Sequence, residues 1–390
     1  MPQKVNVGLI GYSFMGKVHS HAFKDMSFFF PEAAAYPVMK AICGRNEANV
    51  SDAAKTFGWQ SYETDWKTLI GRDDIHLIDV STPGDSHAEI AIAAAEAGKH
   101  VFCEKPLANN LAEARAMADA VRNAGVKSMV AYNYRRVPAV ALAKKLIEEG
   151  RIGDIYHWRA VYLQDWIMDP NFPLVWRLQK EKAGSGPHGD LNAHIIDLAR
   201  YLVGDISEVS GMQETFIKER PIAEEIDAAL GASTGGSNQM GQVTVDDTTL
   251  FLARFENGAV GTFEATRFAG GRRNGNRFEI NGSKGSIAFN LEKMNELQYY
   301  NREDEDHIQG FRKIMVNEGV HPYMDHWWPP GHIIGWEHTF IHEVYDLMQA
   351  IGGADDNLHP DFDEGVKDQA VLEAVSISAE NKSWIKVTDL

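Results

Sequence analysis

The first third of the chain alternates short apolar runs with segments of helical periodicity. The apolar runs are bounded by Gly, Pro and polar residues, and their lengths are those of strands. A parallel sheet that is covered by helices on both faces has this pattern. The strands that it predicts are Val5–Ile10, Val38–Cys43, Ile75–Ser81, His100–Cys103 and Ser128–Ala131.

After a connecting helix from Pro138 to Gly150, the pattern changes to longer stretches of alternating polar and apolar residues. This alternation predicts an antiparallel sheet. The segment Gly231–Gly241 is rich in Gly, Ser and Asn, so we expect a mobile loop there. The predicted strands are Ile155–Leu163, Val243–Phe255, Ala259–Arg267 and Phe278–Asn281, and two helices follow at Trp336–Ile351 and Asp363–Lys382.

The composition limits the possible partners. Lys and Arg number 38 against 55 Asp and Glu, a formal net charge of −17, which argues against nucleic acid and anionic membrane surfaces. No run approaches the ~20 apolar residues that cross a bilayer. Cys43 and Cys103 are too few for a disulfide framework and lack the spacing of metal ligands. Because the N-terminus also lacks a secretion signal, we expect a cytoplasmic protein without a metal.

A glycine-containing turn, Gly11 to Gly16, stands between the first predicted strand and the following helix. A dinucleotide fingerprint occupies this position, because it places pyrophosphate on a helix N-terminus. Gly11 suits the tight turn and Gly16 the close helix–strand contact, whereas Ser13 replaces the glycine that lets the backbone approach the phosphates. An ordinary strand–turn–helix junction is the alternative interpretation.

The residues after the second predicted strand bear on the choice of cofactor. NAD-binding proteins usually place an acid there that binds the ribose hydroxyls, but this chain has Gly44-Arg45-Asn46. The planar cation of Arg45 suits stacking on adenine or binding the 2′-phosphate of NADP. A solvent-facing loop arginine is the alternative, so these residues leave NAD and NADP open.

Two groups of ionisable residues are candidates for chemistry. Glu104 and Lys105 follow a buried strand at the edge where open α/β sheets bind ligands, and a lysine there can accept a hydroxyl proton. A surface Glu–Lys pair is the alternative. Asp190 and His194 stand four apart on a predicted helix and share one face, which Asp197 continues.

The second group also has other interpretations. Asp190 can simply favour a helix N-terminus, and a helical histidine such as His194 is often a packed core residue. A zinc site is disfavoured, because no His-Glu-x-x-His motif or cysteine cluster accompanies the pair.

In combination, these motifs resemble the Gfo/Idh/MocA oxidoreductase family over essentially the whole chain. The motifs that carry the resemblance are the turn Gly11–Gly16, Ser81-Thr82-Pro83, Glu104-Lys105-Pro106, Tyr132-Asn133-Tyr134-Arg135 and Asp190-x-x-x-His194. Within the family the sequence is similar to levoglucosan and scyllo-inositol dehydrogenases through Tyr162–Trp166, Trp176-Arg177 and Ala183–Gly186. Two residues depart from the family pattern. Ser13 replaces the middle glycine of the turn, and His188 stands where a small or apolar residue is expected.

The resemblance implies an α/β fold: a doubly wound Rossmann domain over residues 1–132, then a domain over 133–390 with a large open antiparallel sheet. That sheet is expected to carry the substrate and to join subunits into a dimer or tetramer, and the C-terminal helices can pack back on the first domain. The implied catalytic residues are Lys105, Asp190 and His194, with Lys105 or His194 as the base. The implied cofactor contacts, with NAD expected and NADP open, are Gly11, Ser13, Phe14, Met15, Gly16, Arg45, Ser81, Thr82, His87, Glu104, Lys105 and Asn133.

The implied substrate contacts are Lys105, Asn133, Trp166, Arg177, Asp190, His194 and His321. An aromatic segment over 321–332, with Trp327 and Trp328, is costly to expose. We expect it either to cover a sugar pocket, of this subunit or a neighbour, or to pack in its own core. His338 and His342, also four apart, are interpreted as packing residues.

The predicted function is oxidation of a secondary ring hydroxyl of an uncharged sugar or cyclitol by hydride transfer to nicotinamide. Sugar phosphates are disfavoured, because the sequence shows no phosphate-binding set beyond that for the cofactor. A redox-assisted glycosidase with bound NAD and a non-catalytic nucleotide-binding regulator are the alternatives. The cluster of ionisable residues disfavours the regulator.

Overall fold

The computed structural model describes residues 3–223, 236–355 and 358–390, and the statements below concern these residues. The strands are β1 (Gln3–Ile10), β2 (Ala35–Cys43), β3 (Ser61–Glu63), β4 (Leu77–Val80), β5 (His100–Cys103), β6 (Ser128–Val130), β7 (Ile155–Leu163), β8 (Ile206–Glu214), β9 (Glu219–Ala223), β10 (Gly236–Gln242), β11 (Thr248–Phe255), β12 (Val260–Thr266), β13 (Gly275–Gly282), β14 (Gly285–Asn290), β15 (Glu296–Asn301), β16 (Arg312–Met315) and β17 (Ile385–Lys386). The α-helices are α1 (Phe14–Phe29), α2 (Glu47–Phe57), α3 (Trp66–Ile70), α4 (His87–Glu96), α5 (Leu111–Ala124), α6 (Pro138–Glu148), α7 (Lys180–Ala183), α8 (Ala193–Leu202), α9 (His338–Ile351) and α10 (Phe362–Asn381). None of these helices combines the length and the apolar composition that a bilayer crossing requires.

One sheet, here called the parallel sheet, has the strand order β3-β2-β1-β4-β5-β6. All neighbouring strands run parallel, and the order reverses at β1 and β4, as in doubly wound nucleotide-binding folds. Successive residues of β5 point to opposite faces: Phe102 packs with α1 and α9, whereas Val101 and Cys103 pack with α4 and α5. Burial on both faces explains the continuous apolar runs in the sequence, and the predicted fold of this part is confirmed.

Helix α9, near the end of the chain, covers one face of the parallel sheet. Phe340 and Val344 of α9 are buried together with Phe23 and Met26 of α1 and with Phe102 of β5. Helix α10 packs on α5 and β6 on one side and on β8 on the other, so it contacts both sheets. The last two helices of the chain therefore pack against elements from its first third. The proposed boundary between residues 132 and 133 stays a prediction.

The second main sheet, here called the large sheet, has the order β16-β15-β14-β13-β7-β12-β11-β8-β17. Its neighbours are antiparallel except β7 and β12, which run parallel. Buried and accessible residues alternate along β11 and β12, so one face packs in the core and the other is open. The open face exposes Leu252, Val260 and an ion pair between Arg159 and Glu279 (2.9 Å). The fold class predicted from the sequence is thus confirmed, with one parallel pair in the otherwise antiparallel sheet.

The loop prediction for Gly231–Gly241 is partly wrong. Residues 231–235 lie outside the described residues, whereas Gly236–Gln242 forms β10, which pairs antiparallel with β9. Main-chain pairing with β9 does not require an alternating side-chain pattern, so composition alone misses it. The strand predicted to begin at Val243 begins instead at Thr248, because the side chains of Asp246 and Asp247 bind N–H groups of other segments.

Candidate active site

The glycine turn after β1 packs too tightly for side chains at two positions. Gly11 has a φ of +108°, and a Cβ there would lie 2.5 Å from the backbone oxygen of Ser81. A Cβ on Gly16 would lie 2.1 Å from the backbone oxygen of Gly11. Because only glycine accommodates these contacts, the turn lies directly against the end of β4 and the first turn of α1. These are the tight turn and the close helix contact that the sequence indicates.

The first turn of α1 fits the pyrophosphate of a dinucleotide. Its sequence contains no acidic residue, and the Ser13 side chain makes no capping hydrogen bond. Helix N–H groups left without an acceptor, together with the helix dipole, favour a phosphate at this end. Ser13 has a φ of −73°, so a serine is sterically allowed in place of the usual glycine. Phe14 is exposed and stacks on Trp336 with ring centroids 5.8 Å apart, and Met15 is half-buried.

The end of β2 contains a contact that sequence reasoning missed. A Cβ on Gly44 would lie 2.1 Å from the ring of Tyr12, so this ring rests on the glycine backbone. Arg45 is exposed beside it, and Asn46 caps α2 by accepting the N–H of Asn49 at 3.0 Å. Tyr12 and Arg45 are therefore the side chains available to an adenosine at this end of the turn. No motif marks Tyr12, because its position depends on packing against a remote glycine.

Lys105 and Asp190, 85 positions apart in the sequence, meet at the carboxyl edge of the parallel sheet. The Lys105 Nζ donates to Asp190 Oδ1 at 2.8 Å and to the Asp190 backbone oxygen at 3.0 Å. Asp190 lies in a π-helical turn, His188–Asn192, that leads directly into α8. Such turns often occur at functional sites, because the wider helix redirects its side chains.

Arg267 binds the other oxygen of the same carboxylate. Its Nη2 donates to Asp190 Oδ2 at 2.6 Å, and its side chain is 1% exposed. Although burial favours the neutral acid, the charges of Lys105 and Arg267 hold the pKa of Asp190 well below its usual range. Asp190 is thus a carboxylate shared by two cations. Sequence reasoning missed Arg267, because nothing in its segment distinguishes it from an ordinary residue at a strand end.

His194 lies beside this ion pair among tyrosine rings. Its ring is centred 4.4 Å from that of Tyr134 and 5.9 Å from that of Tyr162. Burial, reinforced by the charge of Lys105, lowers the pKa of His194 well below its ordinary value. Its Nδ1 is enclosed and has no hydrogen-bond partner in the described part of the chain. The imidazole is therefore neutral, and Nε2 is the nitrogen left to accept a proton.

The π-helical turn is held from behind by buried groups. Asp246 accepts the N–H groups of Gly186 (2.6 Å) and His188 (2.9 Å). The ring of His188 is enclosed and lies 2.8 Å from the backbone oxygen of Leu372, so it anchors the turn to α10. Asp197, further along α8, binds Arg135 at 2.7 Å and makes no hydrogen bond to Lys105 or Asp190 in the described residues. A part for Asp197 in the group of Asp190 and His194 stays a prediction.

Two predicted substrate contacts surround the ion pair. The ring of Trp166 lies 5.2 Å from the guanidinium of Arg267, and its Nε1 donates to Gln164 at 2.9 Å. The guanidinium of Arg177 lies 4.4 Å from the ring of Trp176. Burial lowers the pKa of Arg177 while Asp190 raises it, which places Arg177 within electrostatic reach of Asp190.

Two other predicted contacts are enclosed by the protein. The ring of His87 is 1% exposed, with Nε2 2.9 Å from the Thr82 oxygen and Nδ1 3.1 Å from the Pro106 oxygen. His87 therefore joins the loops that follow β4 and β5 and supports the cofactor edge from behind. Asn133 is 2% exposed and donates to the hydroxyl of Thr339 at 2.9 Å. Direct ligand contacts by these two residues stay predictions.

The aromatic segment 321–332 packs on its own chain only in part: Trp327 is buried, whereas Trp328 is 53% exposed, contrary to the expectation that both are covered. Trp327 contacts Phe29 with ring centroids 4.1 Å apart and donates from Nε1 to His342 Nε2 at 2.8 Å. Burial lowers the pKa of His342 to about 3, so the ring is a neutral acceptor and a packing residue, as expected. His321 accepts the N–H of Glu318 at 3.1 Å and makes no hydrogen bond to Lys105, Asp190 or His194 in the described residues. The structure thus does not bring His321 into this group, and its role stays a prediction for a neighbouring subunit.

Comparison with known protein families shows which family has this sequence and fold. The sequence model of the oxidoreductase family with an NAD-binding Rossmann fold matches residues 5–132, and that of the GFO/IDH/MocA C-terminal domain matches residues 140–288. The chain belongs to the Gfo/Idh/MocA family. It is an NAD-dependent oxidoreductase. This finding favours an enzyme over the alternative of a non-catalytic nucleotide-binding regulator.

The chain is similar to individual sugar and inositol dehydrogenases over most of its length. Levoglucosan dehydrogenase of Pseudarthrobacter phenanthrenivorans is 48% identical over 100% of this chain and 99% of that protein. The crystal structure of a levoglucosan dehydrogenase in complex with NADH and levoglucosan has a TM-score of 0.92 and 47% identity, covering 99% of this chain and 100% of that one. The scyllo-inositol 2-dehydrogenase (NAD(+)) of Bacillus subtilis is 30% identical over 74% of each chain.

The substitution Gly11→Ala tests the nucleotide-binding turn. A Cβ there would collide with the Ser81 backbone and requires an unfavourable φ, so we expect NADH affinity to fall by at least about tenfold in a fluorescence titration. Gly58→Ala is the matched control, because Gly58 also has a positive φ, +93°, but its added Cβ meets nothing within 4 Å. Unchanged NADH binding by Gly11→Ala would contradict the assignment of this turn.

Proposed function

We propose that this protein oxidises a secondary ring hydroxyl of an uncharged sugar or cyclitol to a ketone, with NAD as the hydride acceptor. The observation that carries the proposal is the Lys105–Asp190 ion pair (2.8 Å) beside the neutral His194, at the sheet edge with the nucleotide-binding turn. The relatives named above support it, since they are dehydrogenases of levoglucosan and scyllo-inositol.

In the proposed reaction, His194 takes the hydroxyl proton and Lys105 stabilises the oxygen. An ammonium group has three N–H donors, and Lys105 directs two of them at Asp190. The third remains for the substrate oxygen, where charge develops as the proton leaves. Asp190, fixed between Lys105 and Arg267, keeps the ammonium in place. Bound NAD supplies the hydride acceptor.

The enclosure of Arg267 favours an uncharged substrate. Its side chain is 1% exposed and binds Asp190, so the guanidinium is directed at the protein and not at a substrate anion. Trp166 and the tyrosines around His194 provide ring faces that suit the apolar face of a sugar. The sequence also shows no phosphate-binding motif beyond the glycine turn. We therefore propose a neutral polyol rather than a sugar phosphate.

Assembly through the open face of the large sheet remains part of the proposal. This face combines exposed apolar side chains, Leu252 and Val260, with the Arg159–Glu279 ion pair. A two-fold contact could bury such a mixed surface on both subunits at once. A homodimer or homotetramer and a cytoplasmic location stay predictions.

A panel of polyols tests the reaction. Purified protein is incubated with NAD+ or NADP+ and with levoglucosan, scyllo-inositol, myo-inositol, glucose of either hand or simple glucosides. We expect NADH to accumulate with at least one neutral polyol, measured by nicotinamide absorbance. Release of an alcohol from a glucoside without net NADH would instead indicate the redox-assisted glycosidase. Failure of the whole panel with both cofactors would contradict the proposal.

The substitution Lys105→Ala tests the role of the ammonium group. We expect kcat to fall by about 10²- to 10⁴-fold while NADH affinity changes little. The variant should fold, because Asp190 keeps its bond to Arg267. Lys99→Ala is the matched control. The Lys99 Nζ also makes two hydrogen bonds, to backbone oxygens at 2.9 and 2.8 Å, but it lies outside the site. Normal turnover by Lys105→Ala would show that this role is wrong.

The pH dependence of polyol oxidation tests the proposed base. Because burial and Lys105 disfavour the charged imidazole, His194 stays neutral as the pH falls through the range in which an ordinary histidine, pKa ~6.5, becomes protonated. We therefore expect kcat/KM, measured at saturating NAD+, to stay level from pH 8 to pH 6. A tenfold loss per pH unit below about pH 6.5 would indicate a base with an ordinary pKa and contradict this assignment.

A further inference from the structure

Three ionisable side chains form a buried group beneath the carboxyl edge of the parallel sheet. His19 of α1 bonds through Nδ1 to Asp79 Oδ2 at 2.8 Å and through Nε2 to Glu104 Oε1 at 3.0 Å. The side chains of His19 and Asp79 are fully buried, and that of Glu104 is 6% exposed. We call these residues the His19 triad. The proposed mechanism assigns them no chemical step, and sequence reasoning found only Glu104.

The hydrogen bonds of the His19 triad imply a net charge of −1. Burial raises the pKa of Asp79, and the charge of His19 opposes this shift. Both ring nitrogens face carboxylate oxygens, so the imidazole and the two acids share a single additional proton. Although burial disfavours the charged ring, Asp79 and Glu104 raise the pKa of His19 to about 10. The ring also lies against Phe102, with centroids 4.9 Å apart, and against Phe340, at 5.6 Å. In these apolar surroundings the negative charge is weakly screened.

Neighbouring groups do not cancel this charge. Burial raises the pKa of Glu343 well above its usual value, so this carboxyl group is neutral and adds no charge. Arg136 is paired with Asp346 at 3.1 Å, and this ion pair has no net charge.

The His19 triad lies next to Lys105, at the end of the cofactor site where the proposed function puts the nicotinamide ring. Asp79 belongs to β4, and its other oxygen accepts the hydroxyl of Ser81 at 3.1 Å. Glu104 follows β5, and its other oxygen accepts the backbone N–H of Lys105 at 3.1 Å. The hydride acceptor has to lie next to Lys105 if the proposed function holds. The adenosine half then extends toward β2 and Arg45, away from the triad.

We propose that the His19 triad stabilises the oxidised cofactor relative to the reduced one. The nicotinamide ring has a positive charge in NAD+ and none in NADH, so a buried negative charge nearby lowers the free energy of the NAD+ complex alone. Lys105 and Arg267 together exceed the charge of Asp190 by one and act in the opposite direction. The proposed reaction requires these cations on the substrate side, and the negative charge of the His19 triad offsets their effect on the nicotinamide ring.

Cofactor binding without a substrate tests this proposal. Asp79→Asn removes one carboxylate and keeps the shape, because the amide oxygen can accept from His19 and the amide nitrogen can donate to Ser81. Glu104 still bonds His19 and raises its pKa, which favours a ring that stays charged. We expect the ratio of Kd for NAD+ to Kd for NADH, measured by calorimetry, to rise about 3- to 10-fold. Glu104→Gln should shift the ratio in the same direction, and it decides the question if Asp79→Asn does not fold.

Asp368→Asn is the matched control. Asp368 is also fully buried and ion-paired, with Arg200 at 2.7 Å, but it lies between α8 and α10. This substitution should lower the melting temperature and leave the Kd ratio unchanged. An unchanged ratio in a folded Asp79→Asn or Glu104→Gln protein would overturn the proposal. Because no polyol is involved, a failed substrate panel would contradict the proposed function and leave this ratio measurable.

Discussion

The carboxylate of Asp190, shared by Lys105 and Arg267, is the interaction on which the site depends. It joins the edge of the parallel sheet, through Lys105, to the end of β12 in the large sheet, through Arg267. The side chain of Asp190 is 35% exposed, but each of its two oxygens binds a different cation, so this carboxylate fixes the relative positions of three separate segments. The same ion pair orients the ammonium group. Burial and the charge of Lys105 keep His194 neutral, although the charge of Asp190 acts in the opposite direction.

Charge is distributed in layers around the expected position of the nicotinamide ring. The substrate side has Lys105 and Arg267 about Asp190, whereas the core side has the His19 triad with its net negative charge. The first arrangement suits a developing alkoxide, and the second suits a positively charged ring. The His19 triad and Arg267 are enclosed, so the effect of their charges is greater than it would be in water.

Sequence reasoning found the parts of the site whose local pattern has a physical cause. Gly11 and Gly16 are detectable because their backbone contacts exclude side chains, and Lys105 because it follows a buried strand. Arg267, His19 and Tyr12 had no such signal, since their roles come from partners far away in the sequence. The strand over Gly236–Gln242 was missed for the same reason, because its partner β9 is not visible in its own composition.

In the proposed reaction, Lys105 and His194 act on one hydroxyl group of a polyol. A crystal structure of the protein with NADH and a polyol that it oxidises tests this arrangement. We expect one ring hydroxyl within about 3.2 Å of both Lys105 Nζ and His194 Nε2, with its carbon facing the nicotinamide. A polyol whose reacting hydroxyl contacts neither group, or a Lys105 that has left Asp190, would contradict this arrangement.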